Sequence, residues 1–196
     1  MSRSPSLGRH LAAASLLSFA LFPAAASGEG NLPQKGSVEV KSYSVPGSSV
    51  PKVVARAVVD VPAKKLWQII SDCEHYKDHM PRVAASTELK KEGNVHTCKV
   101  TIAMPFPFSN LTAVTEAVHE EKDTSMARRW KLVSGDYKVN QGSWELKTLD
   151  DGGTLVTYSV HAEPNTAVPD FIRESAQKKA IPEMIERVTA EAKKLP

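Results

Sequence analysis

KVVARAVVDVPAKKLWQIISD, residues 52–72, decides the fold. Its first half alternates, with Val53, Ala55, Ala57, Val59 and Val61 on one face and Arg56 and Asp60 on the other. That period of two marks a half-buried strand. At Pro62 the period changes. Proline suits a helix start, because its fixed φ fits the first turn and its missing N–H has no intrahelical partner there. Leu66, Trp67, Ile69 and Ile70 then recur at helical spacing. The helix is short, and CEHYKDHMPRV, residues 73–83, holds a further turn or two before Pro81 stops it.

Downstream the alternation returns. Residues 83–91, 95–104, 108–120, 125–134, 141–149 and 154–163 read as six strands in antiparallel succession. Turn signals separate them at Glu92-Gly93-Asn94, residues 105–107, Glu121-Lys122-Asp123, Gly135-Asp136 and residues 150–153. The chain closes on VPDFIRESAQKKAIPEMIERVTAEAKKLP, residues 168–196, where Phe171, Ile172, Ala176, Met184, Ile185 and Val188 share a helical stripe. Pro182 removes one backbone hydrogen bond within it, which predicts a kink near residues 178–181. One strand, two short helices, six strands and a long helix make an α+β domain. A curved antiparallel sheet must cover its concave face, and only the terminal helix is long enough to do so.

Upstream, MSRSPSLGRHLAAASLLSFALFPAAASGEG places Arg3 and Arg9 before an apolar run over residues 11–22, followed by Ala24, Ala25 and Ala26. This reads as a secretory signal peptide cleaved near Ala26, which predicts a periplasmic or secreted protein. The run is short against the roughly 20 residues of a membrane-spanning helix. The expected plan is a signal peptide over residues 1–26, a mobile segment over residues 27–51 and one ligand-binding domain over residues 52–196. Within the mobile segment, SVEVKSY (residues 37–43) alternates enough for a short strand. Losing Arg3 and Arg9 lowers the formal charge of +3 by two, which leaves no electrostatic case for nucleic acid. The two cysteines, Cys73 and Cys98, form one bridge if their α-carbons come within roughly 7 Å; two separate buried thiols are the alternative.

Several local patterns, in order, carry a family likeness. DVPAKKLWQIISD, residues 60–72, is followed by Tyr76, by Met80-Pro81 and by Val83. Further on come Gly142, Trp144, the Gly152-Gly153-Thr154 turn, Tyr158, Pro164, and a terminal helix with Pro169 and Pro182. Over residues 52–195 the chain resembles the START-like, polyketide-cyclase-like helix-grip superfamily (SRPBCC), and within it the exported bacterial START-domain lipid-binding proteins. The resemblance implies a curved seven-stranded antiparallel sheet wrapped round a long C-terminal helix, with two short helices after the first strand. It also implies an apolar tunnel for a lipid, sterol, quinone or polyketide-like ligand, and it includes enzymes, so fold alone does not fix function.

Strand parity names the expected lining. His96, Cys98, Val100, Ile102 and Met104 share a face, as do Met126, Arg128, Trp130 and Leu132; Gly142, Trp144 and Leu146; and Val156, Tyr158 and Val160. From the helix, Phe171, Ile172, Ala176 and Met184 would face them. A dry core is the plain reading of such a set. Adaptable Met and Trp beside the small Gly142, Ala176 and Ala180 favour a pocket of a few hundred Å3. The candidate ligand-binding residues are therefore Cys98, Val100, Ile102, Met104, Met126, Arg128, Trp130, Trp144, Tyr158, Val160, Phe171, Ile172 and Met184.

Arg128 is the one charge on that face. If inward, it needs a carboxylate, carbonyls or a ligand head group, with Tyr158 as a second polar contact; a bulge that turns it outward is the other placement. Met104-Pro105-Phe106-Pro107-Phe108 puts apolar residues where a turn is usually polar. Phe106 and Phe108 either form a rim for transient membrane contact or tuck under the terminal helix. His75 and His79, four apart, could share a metal, but no third ligand accompanies them and Pro81 ends the helix, so a solvated helix end is expected.

No phosphate loop, nucleophile elbow or zinc spacing appears, and no cofactor is expected. The leading expectation is a monomeric carrier that binds a hydrophobic small molecule without covalent chemistry. The alternative is a cyclase- or dehydratase-type enzyme with His96, His119 or His161 as acid or base. A pocketless interaction protein is the third.

Overall fold

In the computed structural model, which describes residues 31–196, each predicted strand is present with shifted ends. The predicted signal peptide lies outside the described residues. Along the chain come β1 (Val38–Tyr43), β2 (Lys52–Val59), α1 (Ala63–Ser71), a 3-10 turn (Cys73–His75) and α2 (Tyr76–His79). Then follow β3 (Val83–Glu92), β4 (Val95–Ile102), β5 (Leu111–Lys122), β6 (Ser125–Gly135), β7 (Tyr137–Thr148) and β8 (Thr154–Pro164). The chain ends in α3 (Asp170–Ser175), a π turn (Ala176–Ala180) and α4 (Ile181–Lys194).

The sheet has eight antiparallel strands rather than seven, in the order β1-β2-β8-β7-β6-β5-β4-β3, and it curves round the C-terminal helix. The extra strand is β1. The segment 27–51, expected to be mobile, pairs with β2 from Val38 opposite Ala57 to Tyr43 opposite Lys52. The alternation of residues 37–43 marks this strand, and the free edge of β2 supplies its hydrogen bonds. The loop after it is tied down as well, since Ser48 Oγ donates to Glu163 and lies 3.1 Å from His161 Nε2.

Helix α1 forms where Pro62 starts it, and its stripe of Ala63, Leu66, Trp67, Ile69 and Ile70 is buried. The Tyr76 hydroxyl donates to the Ile70 carbonyl and so satisfies a C-terminal acceptor of the helix. In α4, Ile181, Ile185, Val188 and Ala192 face inward at helical spacing. Each large aliphatic side chain buried there contributes roughly 1.5–3 kcal/mol. The predicted kink takes a definite form: the helix widens into a π turn just before Pro182, whose ring nitrogen has no hydrogen to return to residue 178. Among the described residues, no helix is long and apolar enough to cross a membrane.

Cys73 and Cys98 are bridged, with α-carbons 6.3 Å apart. The bond staples the turn after α1 to the middle of β4, and both sulfurs are fully buried. Closing a loop across a separation of 25 residues restrains the unfolded chain by about 3 kcal/mol on the chain-entropy estimate. Replacing both cysteines by alanine is therefore expected to lower unfolding stability by that order in a urea titration, and reductant should produce a comparable loss in the unaltered protein.

Candidate ligand-binding site

The register builds the inner face of the sheet as cross-strand rows. One row runs His96, Ala117, Trp130, Gly142, Val160, Val53. The next runs His119, Arg128, Trp144, Tyr158, Ala55. Aromatic side chains meet along these rows: Trp144 and Tyr158 have ring centroids 4.6 Å apart, and Trp130 and Tyr158 6.0 Å. Trp130 lies across Gly142 and donates from Nε1 to Asn140 at 3.0 Å. A Cβ at Gly142 would fall 2.5–2.7 Å from the Trp130 ring and would also collide with the Ser159 carbonyl, so only glycine admits this packing.

Burial divides the inner face in two. Beneath α1 and α4, Met126, Trp144, Leu146 and Val156 are closed off from solvent together with Ala55 and Ala57. Val100 and Ile102, toward the β4–β5 loop, and Trp130, Tyr158 and Val160, in the rows of His96 and His119, are only half-buried although they point the same way, and Met104 beyond Ile102 is half-buried too. Ile172 and Met184 approach from the helical side, also half-buried. Phe171, expected to face the sheet, is instead 66% exposed, because the short α3 presents it outward. The side chain of Ala176 lies outside the described residues. Phe106 is 96% exposed, so it does not tuck under the helix, whereas Phe108 is half-buried. Burial holds the Tyr158 phenol protonated by raising its pKa, and burial with nearby Asp136 pushes Tyr137 up to about 12.

Arg128 points inward, not outward, and is 3% exposed. Arg129 takes the outer face and pairs with Glu120 and Glu145. Among the described residues, Arg128 has neither of the carboxylate and carbonyl partners expected for it. Its guanidinium lies 2.6 Å from His119 Nε2, 3.4 Å from Cys98 Sγ and 5.7 Å from the Tyr76 ring centroid. A guanidinium only donates, so His119 Nε2 accepts and the imidazole is neutral. Burial first, then the Arg128 charge, then His96 and Lys91 push the His119 pKa down to about 3. His96 stacks on His119 at 3.9 Å and bonds through Nδ1 to Glu88.

The sequence named Arg128 and both histidines but did not join them. The signal was the tight turn after Lys122, which sets His119 opposite Arg128. Glu88 went unremarked, and a register shift in β3 between Glu88 and Lys90 obscures its reach. His75 bonds Asp72 in the open, as a solvated helix end should, but among the described residues the buried His79 Nδ1 has no hydrogen-bond partner, so His79 departs from that expectation.

Comparison with known proteins adds the following. The profile of the family described as polyketide cyclase / dehydrase and lipid transport matches residues 59–189. A STAR-related lipid transfer protein from Xanthomonas axonopodis is 20% identical with a TM-score of 0.71, over 82% of this chain and 96% of that one. Human STARD10 is 17% identical with a TM-score of 0.71, over 83% and 72%. The Zhui aromatase/cyclase from Streptomyces sp. R1128 is 18% identical with a TM-score of 0.58, over 72% and 93%. At these identities the likeness establishes the shared fold. No curated protein matches the sequence significantly.

The depressed pKa of His119 has a sign that can be measured. The unfolded imidazole takes up its proton near 6.5, the folded one only near 3. Between those values the unfolded state binds the extra proton, so stability conferred by the neutral folded form is complete above pH 6.5 and is lost as pH falls toward 3. A His119→Gln variant should lose up to roughly 1.4 kcal/mol per pH unit of that acid slope relative to the unaltered protein, read by denaturant titrations at stepped pH.

Proposed function

Because the chain belongs to the polyketide cyclase / dehydrase and lipid transport family, we propose that it binds a hydrophobic small molecule at the half-open end of its sheet and releases it unaltered. One observation carries this reading. Val100, Ile102, Trp130, Tyr158 and Val160 keep solvent contact on an inner face whose other half is dry. Apolar surface left accessible in a concave place is what a hydrophobic ligand covers, at a gain of about 25 cal/mol per Å2. Tyr158 and Tyr137, held protonated, offer phenolic hydrogen bonds that orient a polar end.

Phe106 is the natural point of delivery. It stands beyond the end of β4, next to the half-open surface, and with Phe108 makes an apolar rim that touches a membrane as the ligand enters or leaves. We place the working protein outside the cytoplasm. The Cys73–Cys98 bridge supports export, since such bonds persist in oxidising compartments, and so does the leader of residues 1–26.

Native mass spectrometry of the mature protein, followed by organic extraction, tests the carrier reading. An apolar compound bound one to one and recovered unchanged is the expected result, while a chemically altered product would favour the cyclase- or dehydratase-type enzyme. Val160→Asp should lower occupancy at least about tenfold, because a carboxylate is costly to bury against an apolar ligand. In liposome flotation, Phe106→Ser should bind about tenfold more weakly than the unaltered protein, by loss of one inserted ring. Equal flotation would remove the rim.

A further inference from the structure

At the opposite end of β4 from Phe106, a polar cleft of about 430 Å3 opens between the end of α1 and the β3–β4 and β5–β6 turns. The two ends of this strand are ~23 Å apart. His96 and His119 form part of the cleft wall, at 6% and 7% exposed. Each ring has one nitrogen engaged: His96 Nδ1 with Glu88, and His119 Nε2 with Arg128. The remaining nitrogens, His96 Nε2 and His119 Nδ1, have no hydrogen-bond partner among the described residues. Stacking at 3.9 Å keeps the two rings side by side, and the edge of Trp67, 5.1 Å from His119, backs them.

The engaged nitrogens fix what the free ones can do. Carboxylates only accept, so the Glu88 contact puts a hydrogen on His96 Nδ1, and the neutral ring then carries its lone pair on Nε2. Guanidinium only donates, so the Arg128 contact leaves His119 Nε2 as acceptor and the hydrogen on Nδ1. The wall thus presents one acceptor and one donor, neighbours in space and opposite in polarity. Around them stand Asp72, Glu88 and Glu121 against the single ammonium of Lys91. Anions are disfavoured there, and a cation that donates a hydrogen bond is favoured.

We infer that this cleft is a second ligand site, which takes a small primary amine carrying an oxygen acceptor one or two carbons away, the chemistry of an amino alcohol. The ammonium donates to His96 Nε2 among the three carboxylates, and the oxygen accepts from His119 Nδ1–H. Glu88 and Arg128 are positioning residues, acting through the imidazoles they orient. The site shares no residue with the apolar end, so it stands or falls separately from the carrier reading.

Ethanolamine is the probe, with choline and acetate as comparators, followed by ring 15N NMR of the mature disulfide-bonded protein. Ethanolamine should shift the His96 and His119 ring signals saturably. Choline, which has no N–H to donate, should bind about tenfold more weakly, and acetate should not compete. His96→Gln should abolish the response at His119, whereas His161→Gln, a buried imidazole on the outer face, should leave it intact. Glu88→Ala should convert the single tautomer of His96 into a mixture and weaken ethanolamine in parallel. Flotation that depends on phosphatidylethanolamine in phosphatidylcholine vesicles would place the amine on a lipid head group; binding of ethanolamine alone would make the ligand a free amine. The inference is overturned if acetate binds as well as ethanolamine, if His96→Gln keeps its affinity while folded, or if the unaltered protein shows His119 protonated on Nε2.

Discussion

Strand length against helix length is the constraint on which the rest of this structure depends. Strands β5 and β7 have twelve residues each and run ~40 Å. Helix α1 has nine residues and spans ~14 Å, and α4 has fourteen and spans ~21 Å. Neither helix alone reaches the length of these strands. The face at Met126 and Trp144 is dry beneath the helices, packed by Leu66, Ile70, Leu146, Val156, Ile185 and Val188. The rest of the face is incompletely covered, and the residues that fall there decide what each part can hold.

Those residues differ in kind. Toward the β4–β5 loop the alternation supplies Val100 and Ile102, with Trp130 and Val160 in the row that passes through His96, and the exposed Phe106 extends the same apolar character outward. At the β3–β4 turn end, the same strands supply His96 and His119, with Arg128 behind them. A buried guanidinium with no carboxylate beside it is costly. Here the cost is offset in part by a neutral imidazole, a sulfur and the Tyr76 ring. The same contacts keep His119 from taking a proton, so its ring enters this end as a fixed dipole, while Asp72, Glu88, Glu121 and Lys91 carry the charge.

Much of this was legible before any coordinates. Period-two runs located six strands and the β2–α1 junction, because a strand with one buried face must alternate. Pro182 marked where the terminal helix would depart from regularity. What escaped reading involved partners distant in sequence or features without a local signature. Strand β1 could be read from the alternation of residues 37–43, but its place at the sheet edge could not, because its pairing is supplied by β2. The placement of Arg128 could not be decided from its own strand, because its partner His119 lies across a hairpin. Phe171 carried the right spacing for the core, yet it belongs to a six-residue helix that the π turn separates from the stripe of α4. For the apolar end, parity named the residues; how far each is covered depends on helix reach, which residue type does not encode.

The disulfide gives the two ends different mechanics. It ties the chain just past α1 to β4 by a covalent link, so the wall formed by α1 and the His96 strand behaves as a pinned joint whose separation is set by bond lengths. The other end has no such link. Beyond it α3 and the π turn continue α4, in the manner of a cantilever anchored at one side. Load applied evenly to the molecule therefore deforms it unevenly: the polar end keeps its gauge, and the compliance is concentrated at the end that no covalent link spans.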